Sequence, residues 1–440
     1  MKSALILLIP LIGIITAAIL PEDREVKSSG LKILWKANIG RTTHRTNVDF
    51  LGDQLVIGSN GSHFNDYMLE DNNGIFILDP KTGKHQLFFG GEQFGDMDVN
   101  GLKVIDDKVV FANDNDEILC VDRKGKTVWR VPFSGDVEHE PTLLRSGARD
   151  VLVFATENGE LRAVDPSDGS TIWQHFHPDF DGWKEGDNRT YFKIRAHFTS
   201  GNIFFDRPLT VDLDRDGVID LLYNANYSTL YAVSGKSGKL LWSEQPDDEY
   251  GKMDNGRQSP VLFATAKKIG FPRYNAESKK QYFTLMNFNG KIEKNIELSS
   301  WANASLSHAS DCFNLLDRSI QMEGDRIIEL THDRPDRKKE PLFNAYTDAQ
   351  VSQQTVRLKN EECFVMLYQY SNGMSCSAVA IIGKETGKIH FTERLPMVSE
   401  FTPFIKDLDK DGQLDMLIGG QDGILYAFEL KIPVNDLVQQ

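Results

Sequence analysis

The sequence predicts an all-β chain, a β-propeller of seven or eight four-stranded antiparallel blades, with eight favoured. Three observations carry this. One phrase recurs as "GIFILDPKTGKHQL" (Gly74 to Leu87), "EILCVDRKGKTVW" (Glu117 to Trp129), "ELRAVDPSDGSTIW" (Glu160 to Trp173), "TLYAVSGKSGKLLW" (Thr229 to Trp242) and "AVAIIGKETGKIHF" (Ala378 to Phe391), each with a glycine four positions before a bulky apolar residue. A fixed offset means one hairpin rebuilt many times, its glycine supplying a turn conformation other residues resist. The clean copies recur at about 40–45 residues, the period of a four-stranded propeller blade. The last unit, ending in "ILYAFELKIPV", lacks the glycine–tryptophan phrase, whereas "LKILWKANIG" near the other end resembles the missing outer strand. Trp35 is therefore expected beside Ile424 to Leu430, so that the N-terminal strand closes the ring and removes exposed sheet edges.

The units are expected at about His44 to Phe89, Asp96 to Phe133, His139 to His177 and Asp206 to Gln245, then more loosely at Arg257 to Leu298 and Ser305 to Tyr346. The pattern sharpens again over Gln350 to Leu395 and Glu400 to Leu430. Merging the weak sixth unit with its neighbour leaves seven blades. Together they form one domain over residues 31–433, preceded by a linker at 21–30 and followed by a tail at 434–440. Trp35, Trp129, Trp173 and Trp242 fall at the repeat position, where packing between neighbouring blades is their expected role.

Residues 1–20 read as a signal peptide or N-terminal anchor: Lys2, an apolar run from Ala4 to Leu20, then "PEDREVKSSG". The body is expected outside the cytoplasm, periplasmic or secreted, touching a membrane only through that segment. Formal net charge is −15, with 49 Lys+Arg against 64 Asp+Glu and no long basic cluster, which argues against nucleic-acid binding. Four cysteines, Cys120, Cys312, Cys363 and Cys376, are too few for a disulfide framework, and no pairing is assigned.

Two turns concentrate carboxylates: "DLDRDGVID" (Asp212 to Asp220) and "DLDKDGQLD" (Asp407 to Asp415). Three alternating aspartates precede a glycine that allows a sharp turn, and another aspartate follows three residues later. Asp212, Asp214, Asp216, the Val218 carbonyl and Asp220 form one oxygen-rich set. Asp407, Asp409, Asp411, the Gln413 carbonyl and Asp415 form the second. Such oxygen donors suit Ca²⁺, and the first half of each loop matches a calcium-loop motif. A solvated acidic turn is the bland alternative, but like charges about 5 Å apart repel by roughly 3 kcal/mol per pair at an effective dielectric near 20. "LLRSGARDVLV" in the third unit keeps only Asp150 of such a set, so the ion is expected to staple individual turns rather than to catalyse.

The aspartate loops resemble integrin-type FG-GAP repeats, and "LYAVSGKSGKLLW" and "LRAVDPSDGSTIW" resemble the pyrroloquinoline-quinone-like propeller repeat. The second resemblance implies either a quinoprotein alcohol dehydrogenase or an outer-membrane assembly scaffold without cofactor. The adjacent cysteine pair and the Cys-x-x-Cys-His haem segment often seen in such dehydrogenases are missing here, so the quinone is not expected.

Residues entering the first strand of each unit are polar and are expected around one channel mouth on the upper face. They are Arg45, His139, Glu140, Asp206, Arg207, Arg257, Gln258 and Glu400. Such a ring serves either as a ligand or partner site or as a salt-bridge network. Two long insertions, Ser59 to Asn73 and Pro178 to Phe205, join the same face, the second carrying Trp183, Tyr191 and Phe192 for stacking on a partner or for packing the loop itself. The function expected is a calcium-stabilised, non-enzymatic scaffold that engages a protein or glycan partner. The alternative is a quinone-dependent dehydrogenase. A hydrolase or lyase using His139 with Glu140 is disfavoured, because adjacent residues on a strand point to opposite sides.

Overall fold

The computed structural model describes residues from 31 to 433. Within that span, 44, 62–71, 92–96, 147–148, 179, 181–202, 205–206, 226–228, 245–262, 265–267, 276–279, 299–311, 316–317, 324–325, 332–345, 359–360, 372–374, 384–388 and 400 lie outside the description, as do 1–30 and 434–440. The expected targeting segment and most of the second long insertion therefore fall outside the described residues. Every described element is a β-strand or a turn.

Eight antiparallel sheets follow one another along the described chain, seven with four strands and one with three. The third is typical: Thr142–Ser146, Arg149–Ala155, Glu160–Val164 and Thr171–Phe176 pair strictly in chain order. The sixth, Cys312–Leu315, Arg318–Glu323 and Arg326–Thr331, has three described strands. Tyr346, expected at the end of that unit, instead opens the seventh sheet in Tyr346–Leu358, where it pairs with Tyr370 of a long hairpin. In the eighth sheet the outer strand comes from the start of the chain. Lys32–Asn38 pairs antiparallel with Ile424–Pro433, placing Trp35 opposite Ala427, as its sequence anticipates.

Inner strands are buried on both faces, which is why they read as short continuous apolar runs: all six residues of Asn73–Leu78 are buried. Outer strands alternate, with Trp129 buried between exposed Val128 and Arg130. The core is accordingly a series of layers between consecutive sheets. Val56, Ile75, Val109 and Phe111 share one layer between the first and second sheets. Another joins Leu55, Val365 and Met416, so the eighth sheet packs with both the seventh and the first.

The glycine–tryptophan offset has a cause that reaches beyond the single hairpin. Each repeat tryptophan packs on the glycine turn of the following sheet, and its indole N–H donates to a carbonyl there. Trp35 bonds Pro80 O at 2.8 Å, Trp129 bonds Pro166 O at 3.1 Å, Trp173 bonds Gly235 O at 2.9 Å and Trp242 bonds Phe288 O at 2.7 Å. Gly169 lies at φ +75°, and a Cβ there would stand 2.6 Å from Cε3 of Trp129. Gly169→Ala is expected to cost about 2–4 kcal/mol through overpacking and left-handed strain. Trp129→Ala should cost about 3–5 kcal/mol. Denaturant unfolding of both variants checks this, and a silent Gly169→Ala would refute the lock.

Candidate functional site

The two aspartate loops fold alike, residue for residue. In the first, Asp212 Oδ2 accepts the Gly217 N–H at 3.1 Å, Asp214 Oδ1 accepts that of Asp216 at 3.1 Å, and Asp216 Oδ1 accepts that of Val218 at 2.9 Å. In the second, Asp407 Oδ2 accepts from Gly412 at 3.2 Å, Asp409 Oδ1 from Asp411 at 3.1 Å and Asp411 Oδ1 from Gln413 at 2.7 Å. Gly217 and Gly412 sit at φ +85° and +88° with nothing near a hypothetical Cβ, so they are required for their backbone angle and not for space. Arg215 and Lys410 share φ +63°.

Carboxylate oxygens of Asp212, Asp214 and Asp220 lie within 4.8 Å of one another, as do those of Asp407, Asp409 and Asp415. Asp216 and Asp411, expected in the same sets, stand apart from these clusters; Asp216 Oδ2 pairs with Lys236 Nζ at 3.1 Å. Asp220 and Asp415 are the buried members. Asp220 joins both turns at its end of the sheet, accepting the Leu213 N–H at 2.8 Å and the Gly235 N–H at 3.0 Å. Burial pushes the Asp415 carboxyl up to about 7, with Asp409, Asp411 and Asp407 adding to the rise. Asp220 is raised for the same first reason. Asp212 Oδ1 is buried and has no hydrogen-bond partner among the described residues. A buried oxygen without a donor, converging with two further carboxylates, fits a bare cation. The chemistry of both donor sets is that of a hard divalent ion. Asp150 has no such place: Leu152 pairs with Val164 as Leu221 pairs with Val233, so Val151, not Asp150, occupies the position of Asp220.

Of the residues expected at the channel mouth, Arg45, His139, Glu140 and Arg207 are described. Asp206, Arg257, Gln258, Glu400, Trp183, Tyr191 and Phe192 lie outside the described residues. The four described ones do gather. Arg45, from the entry to the first sheet, reaches past the second to pair with Glu138 at the entry to the third. Asn100 donates to the same Glu138 carboxylate at 2.9 Å. Arg207 Nη1 pairs with Glu140 at 2.8 Å, linking the entries of the third and fourth sheets. Glu138 and Asn100 escape a sequence reading; Glu138 stands inside the polar phrase "EHEP", which is the one signal available.

His139 is buried, and its Nδ1 lies 2.8 Å from the Glu140 carbonyl. A carbonyl only accepts, so Nδ1 carries the proton and Nε2 presents a bare lone pair. Among the described residues that Nε2 has no partner, nor do Tyr223 Oη and the Nε and Nη2 of Arg207. Burial foremost, aided by the nearby positive charges of Arg207 and Arg45 and opposed by the Glu140 carbonyl, lowers the His139 pKa to about 4. His139 and Glu140 do not form an acid–base pair, since the Glu140 carboxylate faces Arg207.

Comparison with known proteins decides the architecture. A pyrroloquinoline-quinone-like repeat family model, described as outer membrane protein assembly factor BamB, matches residues 89–184. No curated protein matches the chain. The crystal structure of BamB from Moraxella catarrhalis is similar at 13% identity and a TM-score of 0.50, covering 91% of this chain and 99% of that one. The fold is a β-propeller. Sqt1 from Saccharomyces cerevisiae is also similar, at 11% identity and a TM-score of 0.49 over 91% of this chain and 96% of that one. A computationally designed protein, Ika8, gives 13% and 0.48 over 90% and 99%.

Below an unfolded-state pKa of 6.5 the unfolded chain takes up a proton that buried His139 refuses until about pH 4. Its contribution is thus complete above 6.5 and lost as pH falls toward 4. The stability difference between wild type and His139→Gln should shrink by about 3 kcal/mol between pH 7 and pH 4. Denaturant titrations across that range test it; a constant difference would show that His139 is not held neutral.

Proposed function

We infer that this chain is an extracytoplasmic, non-enzymatic scaffold: an eight-bladed propeller, one domain over residues 31–433, whose upper face engages a protein partner. The charged mouth is the observation that carries the reading. Its described carboxylates, Glu138 and Glu140, are engaged by arginines, and its histidine stays neutral far below physiological pH, an arrangement suited to holding shape and not to moving protons. The matched family is described as an outer membrane protein assembly factor, which supports an assembly role and a place outside the cytoplasm. Arg45, Glu140 and Arg207 border the partner surface at its inner rim, with His139 buried beside them.

Closure by the first strand is part of the proposal. Pairing of Lys32–Asn38 with Ile424–Pro433, and the bond from Trp35 to the turn of the first sheet, support a ring joined by non-covalent contacts between chain ends. Deleting residues before Ile39 should then abolish a single cooperative unfolding transition, as read by calorimetry; full cooperativity in the truncated protein would argue against closure.

Two calcium ions stiffen the turns in this reading, held by Asp212, Asp214 and Asp220, and by Asp407, Asp409 and Asp415, with Asp216, Val218, Asp411 and Gln413 completing the loops. A site held at 100 times its Kd contributes about 2.7 kcal/mol. Chelator should lower the melting temperature of wild type, less in Asp407→Ala, and not at all when Asp212→Ala is added. Equal melting with and without chelator would remove the ions from the proposal.

The partner role is tested on protein purified from its native source. A partner should co-elute and be released on deleting 181–202, with the melting temperature unchanged. Dye reduction on adding pyrroloquinoline quinone and calcium would overturn the scaffold reading in favour of a dehydrogenase.

A further inference from the structure

A second kind of metal-ligand set occupies the seventh sheet, independent of the aspartate loops and of the charged mouth. Glu361 opens the strand Glu361–Ser371, and Cys363, two residues on, shares its face. His390 reaches them from the outer strand Ile389–Arg394 by way of a bulge. Ile381 pairs with Phe391 and Ile382 with Ile389, which leaves His390 as the extra residue. The same bulge holds Leu34, Val128, Ile172 and Leu241 in four other sheets and Glu293 in the fifth. Apolar side chains satisfy the fold at that point, so the fold does not ask for a histidine.

The place of Cys363 is informative too. Phe364 pairs with Ile382 as Leu221 pairs with Val233 and Met416 with Phe428. Cys363 therefore stands where Asp220 and Asp415 stand in the fourth and eighth sheets, at the base of a ligand cluster. One ligand atom each from Glu361, Cys363 and His390 lies within 4.8 Å of the others. His390 Nε2 is 2.8 Å from Glu361 Oε2, and Cys363 Sγ is 3.6 Å from the Glu361 carbonyl. Cys363 is fully buried, whereas the His390 and Glu361 side chains keep 13% and 14% exposure, so the set is reachable from one side.

We propose that Glu361, Cys363 and His390 form a binding site for a zinc-class divalent ion. Sulfur, imidazole nitrogen and carboxylate oxygen together make a borderline-soft donor set, which Zn²⁺ accepts and calcium does not. Bond lengths near 2.0 Å to nitrogen or oxygen and 2.3 Å to sulfur place tetrahedral ligand atoms roughly 3.3–3.8 Å apart. To admit the ion the 2.8 Å His390–Glu361 contact would widen and the other separations, all within 4.8 Å, would settle at these spacings, leaving one position of the tetrahedron for water.

Cobalt(II) tests this on the full-length, chelator-treated protein in calcium-containing buffer. One equivalent should bind and produce an intense near-ultraviolet thiolate-to-cobalt band, discharged by one equivalent of Zn²⁺. Cys363→Ser should abolish the band, while Glu361→Gln and His390→Gln weaken zinc binding by at least roughly tenfold. Asp212→Ala with Asp407→Ala should leave the band intact, so failure of the calcium reading and failure of this one are separable. A missing band in wild type, or one that survives Cys363→Ser and so belongs to Cys120, Cys312 or Cys376, would overturn the site.

Discussion

An indole seated on a neighbour's glycine turn is the contact that makes these sheets into one body. A four-stranded meander buries little by itself, and its two faces both need cover. The tryptophan supplies a large apolar plate to the next sheet, while its N–H saturates a turn carbonyl that packing would otherwise leave without a donor. That bond also fixes direction. Trp129 can reach the Pro166 carbonyl only if the third sheet follows the second at one offset and rotation, and the same holds for Trp173 and Gly235. Where the tryptophan is replaced, as by Leu87 in the first sheet, layers such as that of Phe89 on Phe111 take up the packing instead.

Much of this was legible because the contact repeats. The glycine and the aromatic stand four residues apart in one turn-and-strand, so the phrase recurs even though the two groups touch different neighbours. Periodicity reveals the unit but not the partner: nothing in "DPSDGSTIW" says that Gly169 serves Trp129 and not Trp173. The aspartate loops were legible for a related reason, since alternation and a following glycine are local. What alternation cannot supply is convergence. Asp214 and Asp216 look equivalent in sequence, yet the carboxylate of the second turns to Lys236. Asp150 misleads through a one-residue slip, which in a strand reverses the face of every side chain. The sixth unit was faint because its strands lack the tryptophan phrase altogether.

The mouth residues show the limit of reading polar character alone. Arg45, Glu138, Glu140 and Arg207 are all visible as charges in the sequence, but their pairing depends on which strand entries meet. Arg45 skips the second sheet to reach Glu138, a contact available only where successive sheets converge at their first strands. Half-buried ion pairs of this sort add little net stability because desolvation offsets attraction, while breaking one leaves a costly uncompensated charge. Their consequence is therefore geometric. They hold the strand entries at set spacing, as the proposed partner surface requires.

One strand position links the fold to its chemistry. One position near the start of the second strand of a sheet lies between two turns, and Asp220 shows what that allows: its carboxylate takes an N–H from each of them. In the third sheet the position holds Val151, a buried plug that asks nothing of the turns. An apolar residue, a carboxylate or a thiol thus fits the same backbone, and only the latter two can draw neighbouring donors into a cluster. The sheets can in this way differ in ion binding without differing in fold, because the tryptophan lock lies on the outer strand and is indifferent to what stands there. A repeat architecture whose cohesion and ligand positions sit on separate strands leaves each free to change alone, and that separation is why the propeller is so readily recognised here while its chemistry has to be argued sheet by sheet.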